Sequence, residues 1–357
     1  MKLPRRAARR AAAGLALAAA LALGGCSTAG YLASSASGPL ALLQAARPVD
    51  DWLADPATPA ALRERLVLSQ RMRDFAVAEL HLPDNASYRR YADLRRPAAV
   101  WNAVAAPELG LALRTSCFPI VGCVGYRGYF DRAAADAQAA VWRAAGDDAT
   151  VYGVPAYSTL GRLPGRWFAD PLLNTFIGYP DIELARLIFH ELAHQIAYAP
   201  GDTVFNESFA SAVERLGAAR WAEAHADAAA RAENVALDAR RRDFRALAGA
   251  TRQALDALYR GPAGDADKRA GKAALLARMR ADHAALKAGP WHGDTRYDGW
   301  FARANNASLA VMGAYDDLVP AFERMFEGAG RNWPRFYAEV RRLAELPAGE
   351  RVALLAR

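Results

Sequence analysis

An α+β fold that is mainly helical is what this chain of 357 residues predicts, on three observations. Residues 40–96 and most of the stretch from 181 onward space their apolar side chains as helices do, with arginine and acidic residues on the other faces. Residues 97–130 and 151–161 replace that pattern with Val, Gly and aromatic residues, the mark of short strands and turns. Beyond residue 38 no segment has the composition of a linker, so residues 39–357 read as a single domain.

The first 25 residues read as an address. Residues 1–10 are positive, residues 11–23 (AAAGLALAAALAL) are apolar and too short for a comfortable membrane span, and Leu23-Gly24-Gly25-Cys26 follows. That tetrapeptide resembles the bacterial lipobox. The resemblance implies cleavage before Cys26 and acyl chains that anchor the protein to a membrane, about 0.8 kcal/mol per buried CH₂. Ser27 rather than Asp at the next position favours, by the same resemblance, the outer membrane facing the periplasm. An ordinary cleaved signal with an incidental cysteine is the plainer reading. Residues 26–38 are small and polar, as a tether is. The leader also carries the charge: the chain holds 45 basic and 38 acidic residues, a net +7. Five of the basic residues and none of the acids lie in the first 25, which leaves 40 against 38, or +2. A nucleic-acid binder keeps its basic excess in the folded part, so nucleic acid is not an expected partner.

Along the domain, LALLQAARPVDDWL and TPAALRERLVLSQRMRDFAVAEL read as helices, the second capped by Asp55 or Thr58 with Pro59 in its first turn. AAVWNAVAAPEL and FPIVGCVGYRGYF read as strands and turns. Cys117 and Cys123 enclose a five-residue loop, where an oxidising compartment permits a disulfide; two reduced thiols are the alternative. Residues 131–146 read as a helix capped by Asp131 and ended by Gly146. VYGVPAYSTLG (151–161) reads as a strand that Pro155 restricts to a sheet edge. Residues 204–260 and 265–288 read as helices broken at Gly261-Pro262, and two last helices are expected at about 300–327 and 332–345.

The chemistry concentrates at Pro180–Tyr198, which contains His190-Glu191-Leu192-Ala193-His194. Asp181 is the expected N-cap, and Pro200-Gly201 the expected stop. Residues four apart share a helical face, so His190 and His194 offer two corners of a Zn²⁺ tetrahedron. Glu191 sits where its carboxylate reaches a water without ligating the metal. Twelve residues after His194 comes Asn206-Glu207-Ser208-Phe209-Ala210, on a helix capped by Asp202 or Thr203. Glu207 lies there among Val204, Phe205, Phe209 and Ala210 and needs a partner. As third ligand it completes a His₂Glu set with one open position, and one Zn²⁺ per chain is expected.

HELAH followed by NESFA resembles the paired motifs of the gluzincin metallopeptidases. With GYRGYFD (125–131), VYGVPAYSTLG, DPLLNTF (170–176) and ARANNASL (302–309), the chain more specifically resembles the family called "putative aminopeptidase", bacterial lipid-anchored zincins. The resemblance spans almost the whole mature chain. It implies a zincin-like domain, with a small sheet and an HExxH helix packed against a Glu-bearing helix, and removal of N-terminal residues from peptide substrates.

Around that core, Tyr157, Ser158, Thr159, Leu160 and Gly161 are candidates for an edge strand that pairs with substrate backbone; a plain structural edge is the alternative. Glu214, seven residues after Glu207, is a candidate partner for a ligand histidine or a substrate amine. Tyr198, Tyr297 and Tyr315 are candidates for the hydroxyl that meets the oxyanion, a role the gluzincin resemblance implies. Two rival functions remain at this point: a non-catalytic envelope scaffold, against which the intact Glu191 argues, and a zinc endopeptidase.

Overall fold

The structure, a computed structural model, describes residues 38–118, 122–156, 158, 168–312 and 318–355. The leader, Cys26 and most of the tether lie outside the described residues, as do Tyr157, Thr159, Leu160, Gly161 and Tyr315.

After a helix at residues 38–45 (α1), strand β1 (Arg47–Pro48) leads into α2 (Val49–Ala54) and α3 (Ala60–Ala78). Neither expected side-chain cap forms on α3. Pro59 takes the N-cap position with an extended backbone, while the Thr58 hydroxyl donates to the Trp52 carbonyl at 2.6 Å. Strand β1 pairs antiparallel with β2 (Arg90–Ala92), which pairs parallel with β8 (Leu172–Leu173).

The larger sheet has the order β6-β3-β7, all antiparallel, from β3 (Val100–Pro107), β6 (Arg127–Tyr129) and β7 (Asp147–Val154). Strand β3 is buried on both faces, which explains its run of alanines. Ala103 and Ala105 meet Ala135 and Ala139 of α4 (Arg132–Ala144) on one side. Val104 and Ala106 meet Ala307 of α10 (Asn306–Met312) on the other. Asp131 caps α4 through Ala134 N at 2.9 Å, and Gly146 ends the turn after it with φ +89°, a left-handed backbone that favours glycine. Strands β4 (Ser116–Phe118) and β5 (Gly122–Val124) set Cys117 opposite Cys123, and the two are joined in a disulfide. Strand β7 is an edge, and it stops at Val154, before Pro155.

Two helices carry the centre of the molecule, α5 (Asp181–Ala193) and α6 (Thr203–His225). Helix α5 differs from expectation at both ends. Pro180 is its N-cap residue, and Asp181 accepts instead from Arg65 of α3. The helix closes at His194, six residues before Pro200. Helix α6 is capped by Asp202, which accepts from Phe205 N at 3.0 Å. Phe189, Phe205 and Phe209 join Phe322 and Phe336 in the main core. Gly217 permits the close approach of α6, because a Cβ there would fall 2.7 Å from Leu80 and 3.0 Å from Phe189.

Helices α7 (Ala228–Arg260), α8 (Asp265–Ala288) and α9 (Asp298–Arg303) enclose a second core around Phe244, Leu255, Trp291 and Phe301. The expected helix over 300–327 is three pieces: α9, α10 and α11 (Val319–Gly328). Asn305 and Asn306 break it, because their side chains are committed elsewhere. Asn305 caps Ser308 N at 3.1 Å, and Asn306 donates to the carbonyls of Pro107 and Glu108. Helices α12 (Trp333–Ala344) and α13 (Ala348–Leu355) complete the main core. Among the described residues no helix is long and apolar enough to cross a membrane.

Asp202 has a second duty. Its other oxygen accepts from both Nε and Nη2 of buried Arg351 in α13, at 3.1 and 2.9 Å. Asp202→Ala therefore removes a cap and leaves a buried guanidinium without its carboxylate, and is expected to cost about 3 kcal/mol. Asp202→Asn, which keeps the cap, is expected to cost less. Urea denaturation of the two variants checks the order.

Candidate metal centre

Helix α5 turns Phe189, Leu192 and Ala193 into the core and so aims His190 toward α6. His194 follows directly at the helix end, with a backbone still helical (φ −58°, ψ −20°). The His190 and His194 rings stand edge to face with centroids 4.9 Å apart. Their Nε2 atoms are 3.2 Å apart. Glu207, in the second turn of α6, places Oε2 3.4 Å from His190 Nε2 and Oε1 3.8 Å from His194 Nε2. Asn206 fixes that turn: its amide donates to the Ala199 carbonyl at 2.9 Å and accepts from the Ala199 N–H at 2.7 Å.

These three residues could hold a metal ion. Zn²⁺ bonds of about 2.0–2.1 Å at tetrahedral angles separate donors by about 3.3 Å, and the three spacings of 3.2, 3.4 and 3.8 Å bracket that value. The tautomer agrees. His190 Nδ1 is 3.2 Å from Glu214 Oε2, so Nδ1 carries the proton and Nε2 offers its lone pair inward. Glu214 thus stands against Nδ1 of His190, on the side of the ring away from the three candidate donors.

Charge is concentrated here. Burial lowers the basicity of His190, but hydrogen bonds and charge from Glu207 and Glu214 outweigh it and hold its pKa well above the ordinary value. Burial, and then the His190 charge, bring His194 down to about 4. Burial tends to raise Glu207, yet His190 and His194 keep it below the ordinary range. Glu191 is not one of the three donors. Burial lifts it to about 7; His190 opposes the rise, and Glu207, Asp170 and Glu214 add to it.

Two tyrosines absent from the sequence reading stand close by. Tyr88 is fully buried with a left-handed backbone (φ 63°), and its N–H donates to the Asp170 carbonyl at 2.6 Å. Its hydroxyl has no partner among the described residues. Burial, then Glu191 and Asp170, hold its pKa well above the ordinary phenol value. Gln195, next to His194, ties this wall together. It accepts from Asn85 at 2.6 Å and donates to Ser87 Oγ at 3.2 Å. Tyr152, on β7, accepts from Asn102 at 3.4 Å; burial raises its pKa and Glu207 adds to that. Nothing in the sequence singled out Tyr88, whereas Tyr152 lay on the predicted edge strand.

Ser158 donates to Asp170 at 3.0 Å, and the other four candidates for the substrate strand lie outside the described residues. Tyr198 falls in the loop after α5, because the helix ends at His194. Tyr297 stacks on Phe244 at 4.4 Å in the second core, and Arg241 and Arg296 surround it.

In the metal-free chain Glu207 and Glu214 favour the protonated form of His190, and a metal ion has to compete with that proton. Titration of metal-free protein with Zn²⁺ at pH 7 is expected to release protons. Apparent affinity is expected to fall as pH falls. Calorimetry in two buffers of different ionisation enthalpy measures the release, and Glu207→Gln is expected to abolish tight binding.

No curated protein and no solved structure matches the chain. A protein family does, over residues 30–355, and its description is "putative aminopeptidase". A match over that length, which contains HELAH, NESFA and the elements that bring them together, places this chain in the putative aminopeptidase family.

Proposed function

We propose that the protein is a zinc-dependent aminopeptidase of the bacterial cell envelope. The observation that carries this reading is the convergence of His190, His194 and Glu207 beside Glu191 in a chain of this family. Zn²⁺ held by those three residues supplies Lewis acidity, polarising a peptide carbonyl and lowering the pKa of a water to about 7. Glu191 does the proton work. Its carboxylate, desolvated by its surroundings and one residue from His190, is placed to accept the proton of the attacking water and return it to the leaving amine. Glu214 holds His190 Nδ1–H, so the imidazole cannot rotate its lone pair away.

The exopeptidase reading rests on the family to which the chain belongs; a free N-terminal ammonium calls for a negative, enclosed subsite. An endopeptidase and a non-catalytic scaffold are the alternatives. Location rests on Leu23-Gly24-Gly25-Cys26 and the polar residues behind it, which support a lipid anchor in the outer membrane.

Glu191→Gln is nearly isosteric and removes no ligand. It is expected to keep bound zinc while hydrolysis of aminoacyl-arylamides drops by about 10²–10⁴-fold. His190→Ala is expected to lose both zinc and turnover. Near-normal hydrolysis by Glu191→Gln contradicts the mechanism, and preference for N-blocked, internally quenched peptides identifies an endopeptidase. Cys26→Ser is expected to move the protein from the membrane to the soluble fraction with its fold intact. Continued sedimentation of that variant with membranes makes the apolar leader the anchor.

A further inference from the structure

A ring of ion pairs lies behind the metal centre, and neither the family nor the motif assigns it a role. Arg186 is four residues before His190, on the same face of α5, and its side chain is only 7% exposed. Its guanidinium addresses two other helices at once. Nη2 donates to both carboxylate oxygens of Asp238 in α7, at 2.7 and 2.8 Å. Nη1 donates to Glu214 Oε1 in α6 at 3.3 Å. Asp238 also accepts from Arg241, at 3.3 Å, and Arg241 reaches back to Glu183 of α5, which lies 3.8 Å from Arg186 Nε.

The two oxygens of Glu214 are thereby divided. Oε1 belongs to Arg186 and Oε2 to His190. A carboxylate held at one oxygen is free to swing; held at both, it fixes the plane of the imidazole it accepts from. The fork matters as well. A planar guanidinium presents donors in fixed directions to two carboxylates, which an ammonium on a flexible stem does not. A glue pair between α5 and α7 would need only Arg186 and Asp238. The contact to Glu214 is what turns the pair toward the metal ligands.

We propose that Arg186 and Asp238 are positioning residues of the metal centre. By locking Glu214 they set the orientation of His190, so tight metal binding depends on the docking of α7, a helix of the second core. This inference rests on the reading that His190, His194 and Glu207 hold zinc.

The test compares full-length wild type with Asp238→Asn and with the double variant Arg186→Met, Asp238→Leu. The double variant exchanges the buried pair for apolar groups, a replacement that commonly preserves folding. Two quantities are measured: Zn²⁺ affinity by competition with a chelating dye, and the thermal midpoint with and without Zn²⁺. Loss of an outer-shell partner typically weakens metal binding 10–100-fold. Asp238→Asn acts one contact further out, so a loss of about tenfold is expected. The rise in midpoint that Zn²⁺ produces is expected to shrink in both variants. Arg186→Lys, which keeps the charge and loses the fork, is expected to weaken Zn²⁺ as well. Wild-type Zn²⁺ affinity in either folded variant, or a drop in midpoint equal with and without metal, overturns the positioning role and makes the ring simple glue. A wild-type protein whose midpoint Zn²⁺ does not raise instead overturns the metal reading itself.

Discussion

Everything at this site depends on the antiparallel packing of α5 against α6. Two imidazoles from the end of one helix and a carboxylate from the second turn of the next meet at spacings of 3.2–3.8 Å. Local geometry pairs the two imidazoles, but it does not bring Glu207 to them. The loop between the helices is pinned by Asn206 on Ala199, the start of α6 by Asp202 on Phe205 and Arg351, and the close approach by Gly217. Glu207, Glu214 and Glu191 all crowd His190. Carboxylates so near one another repel unless a cation stands among them. In the metal-free chain these carboxylates favour a protonated His190; a divalent ion would balance the same charge with both imidazoles neutral.

The scaffold around the pair draws on the segments whose sequence resembles the family. Asp131 of GYRGYFD caps α4, and Asn305 and Asn306 of ARANNASL tie α10 to β3 and β7. Asn174 of DPLLNTF accepts from Leu94 N–H at 2.8 Å and donates to the Arg96 carbonyl at 3.1 Å. Asp170, in the same motif, receives Ser158 and Gln195 and bears on Glu191 and Tyr88. These segments therefore act mostly as joints, while the three residues that could hold a metal lie in the HELAH and NESFA segments.

That division explains what was legible in the sequence. His190 and His194 are four residues apart on one helix, so local geometry alone places them together. Glu207 follows after a short connection, and its apolar neighbours made it conspicuous. The end of α5 was misplaced because the helix is stopped by distant partners. Gln195 is claimed by Asn85, Ser87 and Asp170, and Ala199 by Asn206, before Pro200 is reached. Pro180 and Pro59 displaced the expected side-chain caps by supplying an extended N-cap backbone themselves. Tyr88 was invisible for the same reason as Asp238: each reaches the site through contacts between elements far apart in the chain, which periodicity does not encode.

The central claim is that one metal ion sits among His190, His194 and Glu207. X-ray absorption spectroscopy at the zinc edge of the purified, zinc-loaded protein tests it most directly. The account predicts a four-coordinate shell of nitrogen and oxygen at about 2.0–2.1 Å, with outer-shell scattering from two imidazole rings and none from sulfur. It also predicts that one imidazole contribution disappears in a His194 variant that still retains metal. A shell of oxygens alone, a sulfur ligand, or a spectrum unchanged by removal of His194 would contradict it.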